Sequence, residues 1–125
     1  MSSAPHVLVV DDDQDLLALI TETLDLEGYR VDAAVNGAKA LDLLEDEMPD
    51  LILLDMKMPV MDGTEFTKRF RARHDHASRI VLVTAAADAE KSAKAIGVNG
   101  YLEKPFDLDA LLDTVAKEVN EVREG

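Results

Sequence analysis

The sequence predicts an α/β fold in which five parallel strands alternate with five helices that cover both faces of the sheet. Three uninterrupted apolar runs, Val7–Val10, Leu51–Leu54 and Ile80–Val83, are the first observation. A run of this kind is typical of a strand buried on both faces. The second observation is that segments with helical spacing separate these runs. Strands that alternate with helices form a parallel sheet through right-handed crossovers, and the sequence therefore predicts a single doubly wound sheet.

Two helices and one strand are predicted between the first and second apolar runs. Apolar residues at helical spacing predict a helix from Gln14 to about Glu27, and Gly28 is typical of the residue that ends a helix. A short strand over Tyr29–Ala34 follows, and Asn36–Gly37 is typical of a turn. A second amphipathic helix is predicted from Ala38 to about Glu47. It must stop before Pro49, because the residue before a proline disfavours the helical conformation.

The second half of the chain supplies the remaining elements. A third helix is predicted from Thr64 to about Arg73. The fourth strand, the apolar run Ile80–Val83, is followed by an alanine-rich helix over Ala87–Ile96, which Gly97 ends. A short fifth strand is predicted over Gly100–Glu103, and Asp107 is a good N-cap for the last helix.

Composition limits the possible functions. The 125 residues are enough for one domain, with a core from about residue 6 to residue 122, and no cysteine is present for disulfides, thiol catalysis or cysteine-bound zinc. A net charge of −13 opposes binding to nucleic acid or anionic lipid and favours cations or basic partner surfaces. The sequence has neither an apolar run long enough to span a membrane nor a secretory signal, so we expect a cytoplasmic protein.

Polar residues that could bind a ligand or take part in a reaction follow four of the strands. Asp11 and Asp12 come after the first strand, Asp55 after the third, Thr84 after the fourth and Lys104 after the fifth. In open α/β sheets ligands bind outside the carboxyl ends of the strands, where the strand order reverses. In the order 2-1-3-4-5 the first and third strands are neighbours, so we expect the three carboxylates to converge.

Converging carboxylates need compensation. Three of them about 5 Å apart repel one another by roughly 3 kcal/mol per pair at an effective dielectric near 20. Either their pKa values rise together or a cation neutralises them. Oxygen ligands suit Mg²⁺, and we predict Asp12, Asp55 and the Lys57 backbone carbonyl as direct ligands, with Asp11 acting through water.

Asp55 is then a candidate nucleophile toward phosphorus, because aspartyl phosphate is an established covalent intermediate. Phosphoryl transfer depends mainly on positioning and charge neutralisation. We expect Mg²⁺ to bind one phosphate oxygen and the Lys104 ammonium a second. The Thr84 hydroxyl, with the backbone N–H of Lys57 or Ala85, would bind the third.

Four motifs in this order resemble the receiver domain of two-component response regulators, and the resemblance covers Val7 to about Val122. They are Val9-Val10-Asp11-Asp12, Leu54-Asp55-Met56-Lys57-Met58-Pro59 with Met61-Asp62-Gly63, Val83-Thr84-Ala85, and Tyr101-Leu102-Glu103-Lys104-Pro105-Phe106. The resemblance implies a flavodoxin-like fold and Mg²⁺-dependent transfer of a phosphoryl group to Asp55. The donor would be a phosphohistidine on a sensor histidine kinase or a histidine phosphotransfer protein.

The resemblance also implies a switch. Thr84 and Tyr101 would form the switch pair, and Lys104–Pro105 would be a cis peptide, which X-Pro bonds permit. The face formed by helix 4, strand 5 and helix 5 would then bind a downstream partner, with the chain a monomer or a weak dimer. Lys57 occupies a position at which the family tunes phosphoryl lifetime, and we hypothesise slow self-hydrolysis. The spacing of Thr84 and Lys104 is slightly short for the family and predicts a short or shifted fourth helix.

Two rival functions follow from the same residues. A phosphatase of the haloacid dehalogenase type also uses Asp, Thr and Lys, but it needs a second acid where Lys57 stands and a cap domain. A flavodoxin-like cofactor binder would place phosphate in the loop after the first strand, where Asp11, Asp12 and Asp13 would repel it. We therefore expect a phosphoacceptor that catalyses its own phosphorylation and dephosphorylation, not a turnover enzyme.

Simpler interpretations exist for several residues. The three aspartates from Asp11 to Asp13 are also typical of a solvated helix cap, and we expect Asp13 to face solvent. Tyr101 is interpreted equally well as a half-buried aromatic residue on an edge strand. His6, His74 and His76 share no spacing with the acidic residues and are interpreted as surface residues.

Overall fold

The computed structural model describes residues 4–85 and 87–124, and these residues form five strands and five helices. The strands are β1 (His6–Val10), β2 (Arg30–Ala34), β3 (Leu51–Asp55), β4 (Arg79–Ala85) and β5 (Gly100–Lys104). The helices are α1 (Gln14–Leu26), α2 (Gly37–Asp46), α3 (Gly63–His74), α4 (Ala89–Ile96) and α5 (Leu108–Glu124).

The strands form one parallel sheet in the order β2-β1-β3-β4-β5, as predicted. The strand order reverses between β1 and β3. The register places Val10 beside Leu54, Asp55 beside Val83, and Ala85 beside Lys104. The carboxyl ends of β1, β3, β4 and β5 therefore meet at one edge of the sheet.

Two apolar layers cover the sheet, because successive strand residues point to opposite faces. On one face Phe66 and Phe70 of α3 are fully buried with side chains of α2 and the strands. On the other face α1 and α5 pack through Ile20, Leu24 and Leu111. All five residues of β1 and of β3 are buried, which confirms the prediction of strands covered on both faces.

Helix α2 corrects one prediction. Asn36–Gly37 was expected to form a turn, but the Asn36 side chain accepts a hydrogen bond from the Lys39 N–H at 2.8 Å and caps the helix. Gly37 is the first helical residue and is buried, and a Cβ there would meet Met61 Sδ at 2.9 Å. The same two residues can serve a turn or a helix start, and here Asn36 caps α2 while Gly37 lies close to Met61 in the loop after β3.

Helix α4 is short, as the spacing of Thr84 and Lys104 predicts. It begins at Ala89, two residues later than expected, and has eight residues. Its end at Gly97, with φ of 69°, agrees with the prediction. The Arg71 guanidinium of α3 donates to the carbonyls of Ile96 and Gly97, each at 2.6 Å, and so caps the end of α4.

The interpretation of the histidines was wrong for His6. It begins β1, an interior strand, and is only 5% exposed. Its Nε2 lies 2.7 Å from Asp32 Oδ2, and its backbone N–H donates to Asp50 Oδ2 at 2.9 Å. His74 is half-buried with its ring 5.5 Å from that of Phe70, whereas His76 is exposed as expected.

None of the helices in residues 4–85 and 87–124 is long and apolar enough to cross a membrane.

Candidate functional site

The strand ends bring four predicted site residues together, and we call Asp11, Asp12, Asp55 and Lys104 the carboxyl-end cluster. Asp11 and Asp12 directly follow β1, Asp55 is the last residue of β3, and Lys104 is the last residue of β5. The parallel register places these strand ends at the same edge, so residues 93 positions apart in the chain come into contact. The predicted convergence of the acidic residues is therefore present in the fold.

Two of the three carboxylates are buried. Asp11 is 2% exposed and Asp55 is 6% exposed, while Asp12 is exposed to solvent. One carboxylate oxygen from each of the three lies within 4.8 Å of the others. The Lys104 ammonium lies 3.2 Å from Asp11 Oδ2 and 3.5 Å from Asp55 Oδ1, and it is the cation that bridges the two buried groups.

Backbone N–H groups give these carboxylates further support. The Asp13 N–H donates to Asp11 Oδ1 at 2.9 Å, and the Lys57 N–H donates weakly to Asp55 Oδ1 at 3.4 Å. The Asp13 side chain caps α1 by accepting from the N–H groups of Asp15 and Leu16. Asp13 faces solvent as expected and acts as a helix cap outside the cluster.

The carboxyl-end cluster carries more negative than positive charge. Burial and the charge of Asp11 raise the pKa of Asp55 from 3.8 to about 6, although Lys104 acts in the opposite direction. Burial alone would lower the pKa of Lys104, but Asp11 and Asp55 together outweigh burial and raise it. One ammonium thus faces two buried carboxylates, and the site retains an excess of negative charge.

The donor set fits a hard divalent cation. Three carboxylate oxygens lie within reach of one another. Two of them as direct ligands, with the third acting through water, would match the preference of Mg²⁺ for one or two carboxylates plus water. A cation there would also offset the repulsion that raises the pKa of Asp55. The assignment of Asp11, Asp12, Asp55 and the Lys57 carbonyl as ligands remains a prediction.

Thr84 lies near the cluster, and Tyr101 lies away from it. Thr84 is 3% exposed and lines an open cavity of about 510 Å³ between the loop after β3 and the start of α4. Tyr101 is the second residue of β5, three positions before Lys104, and is 39% exposed, more than the half-buried position expected. It borders a different cavity together with Ala93 and Val98.

The loop after β3 is held close to the site. The Gly63 N–H donates to the Met56 carbonyl at 2.9 Å, and a Cβ on Gly63 would meet Met56 Cα at 3.0 Å. A side chain at this position would push the Met56 backbone away by a few tenths of an ångström, so glycine suits the close approach. At the other side of the site Lys104–Pro105 is a cis peptide, which agrees with what the resemblance implies.

Sequence reasoning missed Asp88, which is the N-cap residue of α4. Its Oδ2 lies 4.0 Å from the Lys57 ammonium, and both residues line the cavity beside Thr84. The available signal was an aspartate directly before a helical segment, which sequence alone would assign to helix capping.

The fold and the cluster define a doubly wound α/β protein with a charged site where the strand order reverses. The sequence model of the response regulator receiver domain family matches residues 7–116 of this chain. Sporulation initiation phosphotransferase F of Bacillus subtilis is 40% identical over 113 residues, which cover 89% of this chain and 90% of that protein. The solved structure of chemotaxis response regulator CheY4 of Vibrio cholerae has a TM-score of 0.85 and 34% identity, covering 93% of this chain and 99% of that one. The chain belongs to the response regulator receiver domain family.

Some relatives are longer. Transcriptional regulatory protein PrrA of Mycobacterium tuberculosis is 40% identical over 114 residues, which cover 90% of this chain but 49% of PrrA. Receiver domains typically bind Mg²⁺ at an acidic pocket, and their partners are histidine kinases or phosphotransfer proteins.

Proposed function

We propose that the chain is a phosphorylation switch in which Asp55 accepts a phosphoryl group from a phosphohistidine. The observation that carries the proposal is the pair of buried carboxylates, Asp11 and Asp55, that share one ammonium. A structural role alone does not account for this arrangement, because burying charge without full compensation is costly. In a phosphoryl acceptor site, by contrast, the excess negative charge would bind a cation, and that cation would offset the charge of the phosphoryl group.

The chemistry is an in-line displacement at phosphorus. A carboxylate oxygen of Asp55 attacks the phosphorus atom, the bond from phosphorus to the histidine nitrogen breaks, and the imidazole leaves with that electron pair. Mg²⁺ bound by Asp11, Asp12 and Asp55 would supply charge neutralisation for the phosphoryl oxygens. Lys104, already 3.5 Å from Asp55 Oδ1, would bind a second oxygen, and Thr84 with the Lys57 N–H would bind the third.

The same geometry supports a conformational response. Phosphorylation replaces the −1 charge of the Asp55 carboxylate with about −2 on a phosphoryl group and places three acceptor oxygens next to the cavity that Thr84 lines. Movement of Thr84 toward these oxygens would vacate space beside α4, into which exposed Tyr101 turns. The face of α4, β5 and α5 would then bind its downstream partner more tightly, by the difference in stabilisation of the two states.

Intact mass spectrometry tests the proposal. The wild type, incubated with acetyl phosphate, should gain one phosphoryl group only when Mg²⁺ is present. Asp55→Asn should gain none, while Asp75→Asn, a matched change at a side chain that is 92% exposed, should behave as the wild type. An adduct that persists in Asp55→Asn would contradict the assignment of the acceptor. Continuous release of phosphate well beyond one equivalent during rapid turnover would favour a phosphatase.

A further inference from the structure

Helix α4 begins differently from the other described helices. The side chains of Asp13, Asn36, Asp62 and Asp107 each accept a backbone N–H from the first turn of the helix that follows. Asp88 makes no such bond, and its φ of −113° and ψ of −10° differ from the extended backbone usual at an N-cap. The one Asx residue that leaves its helix uncapped is therefore the one beside the candidate site.

The Asp88 carboxylate faces Lys57 instead. The Lys57 ammonium lies 4.0 Å from Asp88 Oδ2, across the cavity of about 510 Å³ that Thr84 also lines. Both side chains are solvent-exposed, at 78% for Lys57 and 55% for Asp88. An exposed pair of this kind is weak, so a stronger anion nearby can take the ammonium away.

Such an anion would form at Asp55. The Lys57 backbone N–H is 3.4 Å from Asp55 Oδ1, so the backbone of Lys57 is positioned at the site while its flexible stem carries the ammonium toward α4. A phosphoryl group on Asp55 would present about −2 charge, compared with −1 on Asp88. The phosphoryl group and Asp88 would then compete for one cation.

We propose that Asp88 is a positioning residue that holds the Lys57 ammonium away from the phosphoryl group on Asp55 and so shortens the lifetime of that group. This inference rests on the proposed phosphorylation of Asp55. Loss of the group occurs when water attacks phosphorus, the bond from phosphorus to the Asp55 oxygen breaks, and phosphate leaves with the carboxylate restored. The proton of the attacking water passes to phosphate or to solvent. An ammonium beside the phosphoryl oxygens occupies the approach of that water, whereas an ammonium held by Asp88 leaves it open.

The competition has a second consequence at α4. In the fraction of phosphorylated molecules in which the phosphoryl group wins Lys57, the Asp88 carboxylate is released and can accept the N–H of Glu90 or Lys91, as the other Asx caps do. The first turn of α4 is then stabilised by phosphorylation without any direct contact between α4 and Asp55. The two exchangeable partners of Lys57 thus link the chemical site to the helix that borders Tyr101.

The lifetime of the phosphoryl group in four proteins tests the inference: wild type, Lys57→Ala, Asp88→Asn and the double variant. Intact mass is followed after removal of acetyl phosphate, in constant Mg²⁺. Asp88→Asn should slow phosphate loss by about two- to fivefold, which is the scale of an exposed ion pair. The same change should have no effect in the Lys57→Ala background. Asp88→Glu, which keeps the charge, should restore a lifetime near that of the wild type.

Glu90→Gln is the matched control, because it removes a charge from the same turn but its partner is Lys94, at 3.1 Å. It should leave the lifetime unchanged. An equal effect of Asp88→Asn with and without Lys57, or no effect at all, would overturn this inference while leaving the phosphorylation of Asp55 intact. Absence of any adduct on the wild type would instead overturn the proposed function and the inference together.

Amide hydrogen exchange at Glu90 and Lys91 provides a readout that a purely electrostatic effect on lifetime would not change. The wild type should gain protection at these amides only when phosphorylated. In Asp88→Asn the new side chain does not hold Lys57 but can still cap α4, so both amides should be protected with and without phosphorylation. In Asp88→Ala no side-chain cap can form, so the amides should be protected in neither state. Equal protection in all three proteins would contradict the coupling to α4.

Discussion

The sheet carries acidic clusters at both ends, and the two differ in how their charge is compensated. The amino-end cluster consists of His6, Arg30, Asp32, Glu47 and Asp50. In each cluster three candidate ligand atoms lie within 4.8 Å of one another. Similar residue types are therefore present at both ends, and a search for acidic clusters alone would not separate them.

At the amino end every carboxylate has its own partner. Asp32 faces His6 Nε2 at 2.7 Å, Asp50 accepts the His6 N–H at 2.9 Å, and Glu47 is paired with Arg30. The hydrogen bond from Arg30 lowers the pKa of Glu47. The side chains of Asp32 and Glu47 are also about half exposed, so water compensates the remaining charge.

At the carboxyl end, Asp11 and Asp55 are buried and depend on one ammonium. The pKa of Asp55 is raised to about 6, in the direction opposite to that of Glu47. The two clusters therefore differ in the compensation of their charge more than in their residue types, and the incomplete compensation at the carboxyl end is what supports the proposed cation site.

Asp55→Asn should produce the largest change in stability. The folded-state pKa of Asp55 is raised from 3.8 to about 6, so the folded protein binds a proton that the unfolded chain has already lost. Stability from this group is therefore lost as pH rises from about 4 to about 6, by up to about 3 kcal/mol. Without divalent cations at pH 8, Asp55→Asn should raise the free energy of unfolding by up to that amount, with little gain at pH 4. Urea unfolding at both pH values measures this, and an equal gain at pH 4 and pH 8 would contradict it.

Lys104→Met should have the next largest effect, in the opposite direction. The change leaves Asp11 and Asp55 buried without a cation, which should lower the free energy of unfolding at pH 8 by about 2 kcal/mol. Mg²⁺ should restore much of the loss, because it can replace the missing charge. Lys94→Met, at a side chain that is 78% exposed, is the control and should change little.

Arg79→Met provides the matched comparison at the amino end of the sheet. Arg79 lies 2.8 Å from the buried Glu118 carboxylate, and removing it should also cost about 2 kcal/mol. Mg²⁺ should restore little of this loss, because only the Glu118 carboxylate is buried there, and Glu121, the second partner of Arg79 at 3.5 Å, is half exposed to water. Equal rescue of Arg79→Met and Lys104→Met by Mg²⁺, measured by urea unfolding, would show that Mg²⁺ acts non-specifically.

Val60→Gly should have a smaller effect. Val60 lies in the loop after Asp55 with φ of 74°, a conformation that costs a β-branched residue energy, and its side chain is 85% exposed. Glycine should raise the free energy of unfolding by about 0.5–1 kcal/mol, after allowance for its greater entropy in the unfolded chain. Thermal unfolding measures the change, and a loss of stability would show that the Val60 side chain makes a compensating contact.

Glu47→Gln should have the smallest effect. Its partner Arg30 and its own side chain are both about half exposed, so solvent replaces the interaction. Urea unfolding should give nearly the same stability as for the wild type, with the same response to Mg²⁺. A large loss would contradict the view that the amino-end cluster is independently compensated.

The architecture could be predicted from the sequence because each interior strand contains an unbroken run of apolar residues. The ends of β1, β3 and β5 then placed Asp11, Asp55 and Lys104 at one edge by topology alone. His6 was assigned wrongly, because a polar residue at the start of an interior strand is buried by its neighbours whatever its own polarity. Its partners, Asp32 and Asp50, lie on other elements and only the fold brings them together.

Local ambiguities account for the remaining differences. Asn36 can begin a turn or a helix, and the structure shows that its side chain caps α2. The pairing of Lys57 with Asp88 depends on the path of two loops and on a helix that starts two residues later than expected. Side-chain partners of this kind are set by tertiary geometry, which apolar spacing does not encode.

The most direct test of the difference between the clusters is a Mg²⁺ titration of stability at pH 8, with wild type, Asp55→Asn and Glu47→Gln. The free energy of unfolding of the wild type should rise with Mg²⁺ concentration, because only the folded protein assembles the carboxyl-end cluster. Glu47→Gln should rise by the same amount, and Asp55→Asn should rise much less. An equal rise in all three proteins, or a rise lost in Glu47→Gln and kept in Asp55→Asn, would contradict the assignment of the cation site to the carboxyl end.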